Sequence, residues 1–284
     1  MKIVLITGAA SGLGWALAQA FFARGDAVVL TDVNAALLAE REGALGDPAR
    51  VAARAGDITD AAFRLALVEH VRERFGRLDT LVNNAGITHR SLVTATDPAV
   101  FDKVMAVDWQ APVHLTCAAL PLLTEARGCI VNVGSMAGWM PVLGRAAYCA
   151  AKGALTQFFE VLRCEVQDRG IHVLNVYPSF LDTPIEHNAL GGDGRPAQHR
   201  RSMVGQMRSA GWMAGLIVDA EARRRPWLFP DRLSWFGSVL WRLWPSMRRG
   251  QRFRQSKGRR PRPNCSPSPG KRRKTGGLSW TRAG

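Results

Sequence analysis

Thr7-Gly8-Ala9-Ala10-Ser11-Gly12-Leu13-Gly14 decides how this chain folds. The residues before it, Lys2-Ile3-Val4-Leu5-Ile6, are short, apolar and β-branched, as in a buried strand. The residues after it, 13–24, carry apolar side chains at helical spacing and stop at Gly25. Gly8, Gly12 and Gly14 let the backbone turn sharply and keep side chains out of the way of a ligand. A strand feeding a helix through such a loop offers free N–H groups and the positive end of a helix dipole, which suits a pyrophosphate. A plain glycine turn would use the same residues, so the surrounding sequence has to discriminate. Gly8, Ser11, Gly12, Leu13 and Gly14 become candidate cofactor contacts.

The alternation continues downstream. Strands are expected at 27–31, 51–55, 80–82, 129–133 and 172–176. Helices are expected at 34–45 (capped by Asn34), 61–75 (stopped by Gly76), from Asp97-Pro98 onward, and at 146–167. Strands alternating with helices imply a doubly wound parallel sheet in a three-layer α/β/α arrangement. Ligands of such sheets sit outside the carboxyl ends of the strands, and each motif below falls at one of those ends. After Pro178 the pattern loosens. Residues 183–213, with Gly191-Gly192-Asp193-Gly194, read as a substrate lid, 202–222 as a helix and 223–230 as a short last strand. Positions 1–231 thus form one domain.

Asp32 closes the second strand. An acid there can accept hydrogen bonds from ribose hydroxyls and repels a 2′-phosphate, and no Arg or Lys follows directly, so NAD is favoured over NADP. A helix-capping or loop acid is the plainer alternative. Asp57 and Ile58 could meet an adenine edge. Asn84, Ala85 and Gly86 could line the cofactor or simply form a tight turn. Tyr148 and Lys152 stand four apart, on one face of the expected helix, with Ser135 thirteen residues upstream. A cation ~4 Å from the phenol, at an effective dielectric of ~20, is worth roughly 4 kcal/mol, or about three pKa units, enough to bring a tyrosine into the range of proton transfer. Such pairs also occur on ordinary solvated helices; the upstream motifs give this one its weight.

Taken together, the residues between 2 and 183 resemble the short-chain dehydrogenase/reductase family, with five motifs in the right order and spacing. The resemblance implies a Rossmann-type fold and a nicotinamide cofactor across the sheet edge. It implies that Ser135 binds the substrate oxygen, that Tyr148 exchanges its proton, and that Lys152 holds the ribose and lowers the phenol's pKa. Pro178 and Thr183, in Pro178-Ser179-Phe180-Leu181-Asp182-Thr183, match the family segment near the carboxamide. The implied activity interconverts an alcohol and a ketone or aldehyde. A homodimer or homotetramer through the helices carrying Trp109 and Tyr148 is implied as well. Two departures stand out. The family usually has Asn where Asp108 stands, holding a helix kink; a carboxylate there could pair with Lys152 and retune the relay. Ser179 replaces a common Gly. A non-catalytic nucleotide-binding or membrane-recruited regulator on the same fold is the alternative, and Asp108 is the feature that favours it.

Composition adds boundaries. The net charge is +15, but positions 223–284 hold 18 Lys and Arg against one acid, Asp231, while positions 1–222 carry a net −2. The body is therefore a near-neutral domain suited to a small molecule. Five scattered cysteines point to reduced thiols and a cytoplasmic location, and six histidines without ligand spacing give no metal site. The N-terminal apolar run breaks at Gly8 and reads as a strand rather than a signal peptide. Trp139, Met140, Val142 and Leu143 could wall an apolar substrate pocket or pack ordinarily. Residues 232–249, with Trp235, Trp241 and Trp244 beside Arg242, Arg248 and Arg249, suit a helix lying on a membrane surface, or one packed on the sheet or a second subunit. Residues 250–284 read as a basic, disordered tail, and their composition is also what a shifted frame of GC-rich DNA encodes. Nucleic-acid binding by charge alone is the least favoured partner.

Overall fold

The computed structural model describes residues 1–178, 180–198 and 207–243. In chain order its main elements are β1 (Ile3–Thr7), α1 (Gly12–Ala23), β2 (Ala27–Asp32), α2 (Ala35–Leu45), β3 (Val51–Ala55), α3 (Ala61–Phe75) and β4 (Thr80–Asn83). There follow α4 (Pro98–Met105), α5 (Ala111–Glu125), β5 (Cys129–Val133), α6 (Ala146–Glu165), β6 (His172–Val176), β7 (Leu181–Asp182), β8 (Arg208–Ser209), α7 (Ala210–Ala222), β9 (Trp227–Leu228) and α8 (Arg232–Leu243). Seven strands form one sheet in the order β3-β2-β1-β4-β5-β6-β9, with every ladder parallel. This is the doubly wound α/β architecture expected from the alternation.

Strand periodicity builds two cores. Val4 and Ile6 of β1 face one side, with Leu17 and Phe21 of α1 and Met213 and Ile217 of α7. Ile3 and Leu5 face the other, with Leu67 of α3, Leu115 of α5 and Phe159 of α6. Both faces of the inner strands are covered, so they read as continuous apolar runs. The strand order reverses between β1 and β4, which opens a crevice at their carboxyl ends.

Element ends follow the expected caps: Asn34 accepts from the Leu37 N–H at 3.1 Å, and Asp97 from the Ala99 N–H at 2.9 Å. Two boundaries differ, and a third feature follows expectation. The helix expected over 202–222 begins at Ala210, because Arg208 and Ser209 extend to pair with Leu181 and Asp182 and the Ser209 hydroxyl caps the Trp212 N–H. The last strand shortens to Trp227–Leu228, since the α7 cap and the left-handed Arg224 (φ 49°) use up the residues before it. The helix ahead of β5 is broken by a π turn at Ala106–Gln110, the kink that the resemblance implied. Ser179, part of the expected lid and residues 244–284 lie outside the described residues.

Candidate active site

The crevice is braced by Thr7. Its hydroxyl donates to the Val82 carbonyl at 3.2 Å and accepts from the N–H groups of Asn84 and Ala85, each at 3.0 Å. The Asn84 side-chain amide donates to the Thr7 carbonyl at 2.9 Å. Asn84 thus spends its amide on holding the glycine loop. Gly14 is required by close approach, for a Cβ there would lie 2.0 Å from the Gly8 carbonyl oxygen. The Ser11 side chain makes no cap bond and no acid occupies the first turn of α1. The first N–H groups of that helix, which have no partner within it, are the natural anion-binding element.

Asp32 reaches the same loop. Its carboxylate accepts from the Ala10 N–H at 3.1 Å and from the Asn34 N–H at 3.0 Å. A carboxylate has about four acceptor positions, so two remain for hydroxyl groups. Arg41, to which no sequence motif points, donates from Nε to the Ala10 carbonyl at 3.1 Å while its guanidinium lies 5.0 Å from the Trp15 ring centroid. Thr183 comes to the loop from far along the chain: a Cβ on Gly12 would sit 3.2 Å from the Thr183 Cβ. Pro178 stands just past the end of β6. Asp57 uses one carboxylate oxygen on the N–H and hydroxyl of Thr59, both at 2.8 Å, which leaves its second oxygen for a ligand, and the Ile58 side chain beside it is buried. A side-chain-free cradle, unspent helix N–H groups and an acid at the second strand end fit a dinucleotide.

The second cluster lies at the end of β5. Ser135 opens the short turn Met136–Gly138; its hydroxyl accepts from the Ala137 N–H at 3.1 Å and acts on the Tyr148 phenol, whose pKa it pulls down. On α6, Lys152 Nζ lies 5.8 Å from the Tyr148 ring centroid. It donates to the Val133 carbonyl at 3.1 Å and sits 3.3 Å from Asp108 Oδ2. Asp108 Oδ1 accepts from the Ile87 N–H at 2.7 Å, so the carboxylate ties the π turn to the loop after β4. Gly86 makes room for the pair, since a Cβ there would lie 3.1 Å from Asp108 Oδ2 and 3.4 Å from Lys152 Nζ. Lys152 and Asp108 are both buried.

These contacts correct the expected electrostatics of Tyr148. Burial pushes the phenol up, Lys152 pulls it down, Asp108 pushes it up again, and the balance is a raised pKa. The lysine acts through a neutralising partner. Burial alone would pull Lys152 down, but Asp108 and Tyr148 more than offset that. Asp108 itself is pushed up by burial, against the opposing pull of Lys152 and Ile87.

Sequence motifs also leave out a second charged group. Glu186 bridges Arg145 (2.8 Å from Arg145 Nη1 to Glu186 Oε1) and Arg90 (3.0 Å), joining the segment after β7 to the start of α6 and to the loop after β4. They leave out His89 too, whose buried Nε2 accepts the Ala147 N–H at 3.1 Å and so caps α6 just ahead of Tyr148. That bond places the ring proton on Nδ1, facing the Ser91 hydroxyl at 3.2 Å. Burial, with Arg145, pulls the His89 pKa down and keeps the ring neutral. Neither cluster has a local signature, because its members are far apart in sequence. An apolar cleft of about 400 Å³ opens nearby, lined by Leu92, Val93, Pro141, Val142, Leu143 and Cys149. Two of the expected wall residues, Val142 and Leu143, are among its lining.

The family model for short chain dehydrogenase matches residues 2–192. The chain belongs to the short-chain dehydrogenase/reductase family. It is 34% identical over 231 residues to a rat (Rattus norvegicus) protein, dehydrogenase/reductase SDR family member 7B, covering 78% of this chain and 71% of that one. A crystal structure of a short-chain dehydrogenase from Streptomyces avermitilis superposes with a TM-score of 0.73 at 30% identity, covering 89% of this chain and 98% of the other. A 3-ketoacyl-(acyl-carrier-protein) reductase from Brucella melitensis, in complex with NADH, gives 0.67 at 28% identity, covering 78% and 90%. The protein is an oxidoreductase of this family, on its Rossmann-type nucleotide-binding fold. Among the described residues no helix is long and apolar enough to cross a membrane.

Proposed function

We propose that the protein interconverts an alcohol and a ketone or aldehyde, with NAD as cofactor and Ser135, Tyr148 and Lys152 as its proton relay. The observation that supports this best is the convergence of Ser135, Tyr148 and Lys152 at the strand ends that also carry the glycine cradle. The bound nicotinamide would supply or accept the hydride. Gly8, Ser11, Gly12, Leu13 and Gly14 would hold the pyrophosphate, Asp32 the adenosine ribose, and Ala85, Gly86, Pro178 and Thr183 would border the rest of the dinucleotide. The Ser135 hydroxyl would position the substrate oxygen by a hydrogen bond. The Tyr148 hydroxyl would give that oxygen a proton in reduction and take it back in oxidation. Lys152, fixed by the Val133 carbonyl and Asp108, would hold the nicotinamide ribose and bias the phenol electrostatically. The apolar cleft supports a substrate with an uncharged, bulky end.

The test is NADH fluorescence on binding, followed by turnover with a panel of alcohols and ketones. Enhancement plus turnover of at least one panel member is expected; no NADH binding would remove the proposal, and binding without turnover of any member would favour a nucleotide-binding regulator.

Cofactor choice gives a separate prediction. Asp32→Asn keeps an acceptor for the Ala10 N–H but removes the charge that repels a 2′-phosphate, and Arg41 is at hand beside the same loop residue. The ratio of kcat/KM for NADP over NAD should rise about tenfold or more, equivalent to roughly 1.4 kcal/mol of lost discrimination. An unchanged ratio would take that selection away from Asp32.

A further inference from the structure

Helix α8 leaves large apolar side chains exposed. Among its described side chains two serines turn into the protein, Ser234 at 8% exposed and Ser238 at 2%. Three large apolar ones face outward, with Trp235 53%, Phe236 56% and Leu243 77% exposed. At about 100° per residue, positions 235, 236, 239, 240 and 243 fall within an arc of roughly 140°. On a regular helix these positions share one face, on which Trp235, Phe236 and Leu243 are exposed and Val239 and Leu240 are half-buried. Ser238 is satisfied locally, donating to the Trp235 carbonyl at 2.7 Å, so its burial needs no polar partner from the rest of the protein. A contiguous exposed apolar face of this kind marks a contact surface.

The sequence around the helix indicates what that surface meets. Residues 223–249 contain seven arginines (223, 224, 225, 232, 242, 248 and 249) and one acid, Asp231. Arg232 falls within the same arc as the apolar stripe and is exposed. An apolar stripe flanked by arginines complements a surface that is apolar within and negative at its edge. The helix has twelve residues, about 18 Å of rise, too short to span a bilayer but suited to lying along one.

We propose that α8 docks the protein on the surface of an anionic lipid bilayer, with Trp235, Phe236 and Leu243 in the interfacial layer and the exposed Arg232 of the same face against phospholipid headgroups. This surface is separate from the catalytic proposal and stands or falls without it.

The test is co-sedimentation of the full-length protein with vesicles of phosphatidylcholine alone and of phosphatidylcholine mixed with phosphatidylserine. The comparison is a Trp235→Ser/Phe236→Ser/Leu243→Ser variant. All three positions are exposed, so the substitutions remove no core contact; unchanged NADH binding and melting temperature confirm the fold. The wild type should bind the mixed vesicles, more weakly as salt rises, and the variant should partition roughly tenfold or more less well. Three results would overturn the proposal. The wild type could stay in the supernatant with the anionic vesicles, or bind both vesicle types equally. Alternatively, the variant could bind as well as the wild type, and if it also lost an oligomer in light scattering, the face would belong to a second copy.

Discussion

Replacing Tyr148 with Phe is expected to lower kcat by about a thousandfold while leaving NADH affinity within a few-fold of wild type. The substitution removes one hydroxyl and keeps the ring. That ring packs against the small cluster of Val104, Ala147 and Ala151, and Lys152 Nζ lies 5.8 Å from its centroid. Neither contact needs the oxygen, so α6 and the lysine should stay where they are. What disappears is the one hydroxyl of the Ser135–Tyr148–Lys152 set that is acidic enough to give a proton to the substrate oxygen and basic enough, as phenolate, to take it back. Ser135 already accepts the Ala137 N–H and is too weak an acid to substitute. Lys152 is buried and held in its charged form by Asp108. The measurement is a pair: steady-state turnover with the best substrate of the panel, and a fluorescence titration with NADH. Turnover retained within tenfold would mean that the proton travels through another group, and the relay would be wrong even if the family assignment stands.

How much of this is legible in the sequence differs from residue to residue, and the reason is locality. The glycine loop, the Asp32 position and the Tyr148–Lys152 spacing are encoded within a few consecutive residues, so helical and strand geometry alone place them. Asn34 and Asp97 announce their helices because a capping side chain acts on its own next turn. The Arg90–Glu186–Arg145 bridge and the His89 cap of α6 join segments that only the folded sheet brings together. Local pattern misplaces the start of α7 for a similar reason: Arg208 and Ser209 are drawn into pairing with Leu181 and Asp182, a contact between distant parts of the chain that no local propensity contains. In α8 the periodicity is plain in the sequence and yet carries no sign. An apolar stripe at helical spacing is the same stripe whether it faces the core or the outside, and here Ser234 and Ser238 face in.

Asp108→Asn should then move the pH dependence of alcohol oxidation toward acid. Oxidation needs the Tyr148 phenolate, so kcat/KM climbs as pH rises through the phenol's pKa. In the native protein that pKa is raised, by burial first, and Asp108 adds to the rise by opposing the pull of Lys152. The carboxylate is 3.3 Å from the lysine and buried with it, so little solvent screens its charge. Removing a buried unit charge that acts on the phenol, at an effective dielectric of ~20, is worth on the order of 1–3 kcal/mol, so the ascending limb should move by about one to two pH units. At a fixed pH below the native pKa, a limb displaced by about one pH unit gives about a tenfold gain in rate. The variant has a second signature. Burial already pulls Lys152 down, and Asp108 is the largest counterweight. Without it the lysine should lose its proton within the alkaline range, the phenol should lose its cation there, and a rising profile should become a bell. The substituted side chain keeps an oxygen for the Ile87 N–H but turns its amide toward Lys152, so some loss of melting temperature is expected too. A merely destabilised enzyme would show a lower amplitude with both limbs in place. An ascending limb that does not move, in an otherwise folded variant, would mean that Asp108 is already protonated in the working enzyme and leaves the phenol's charge balance to Lys152 alone.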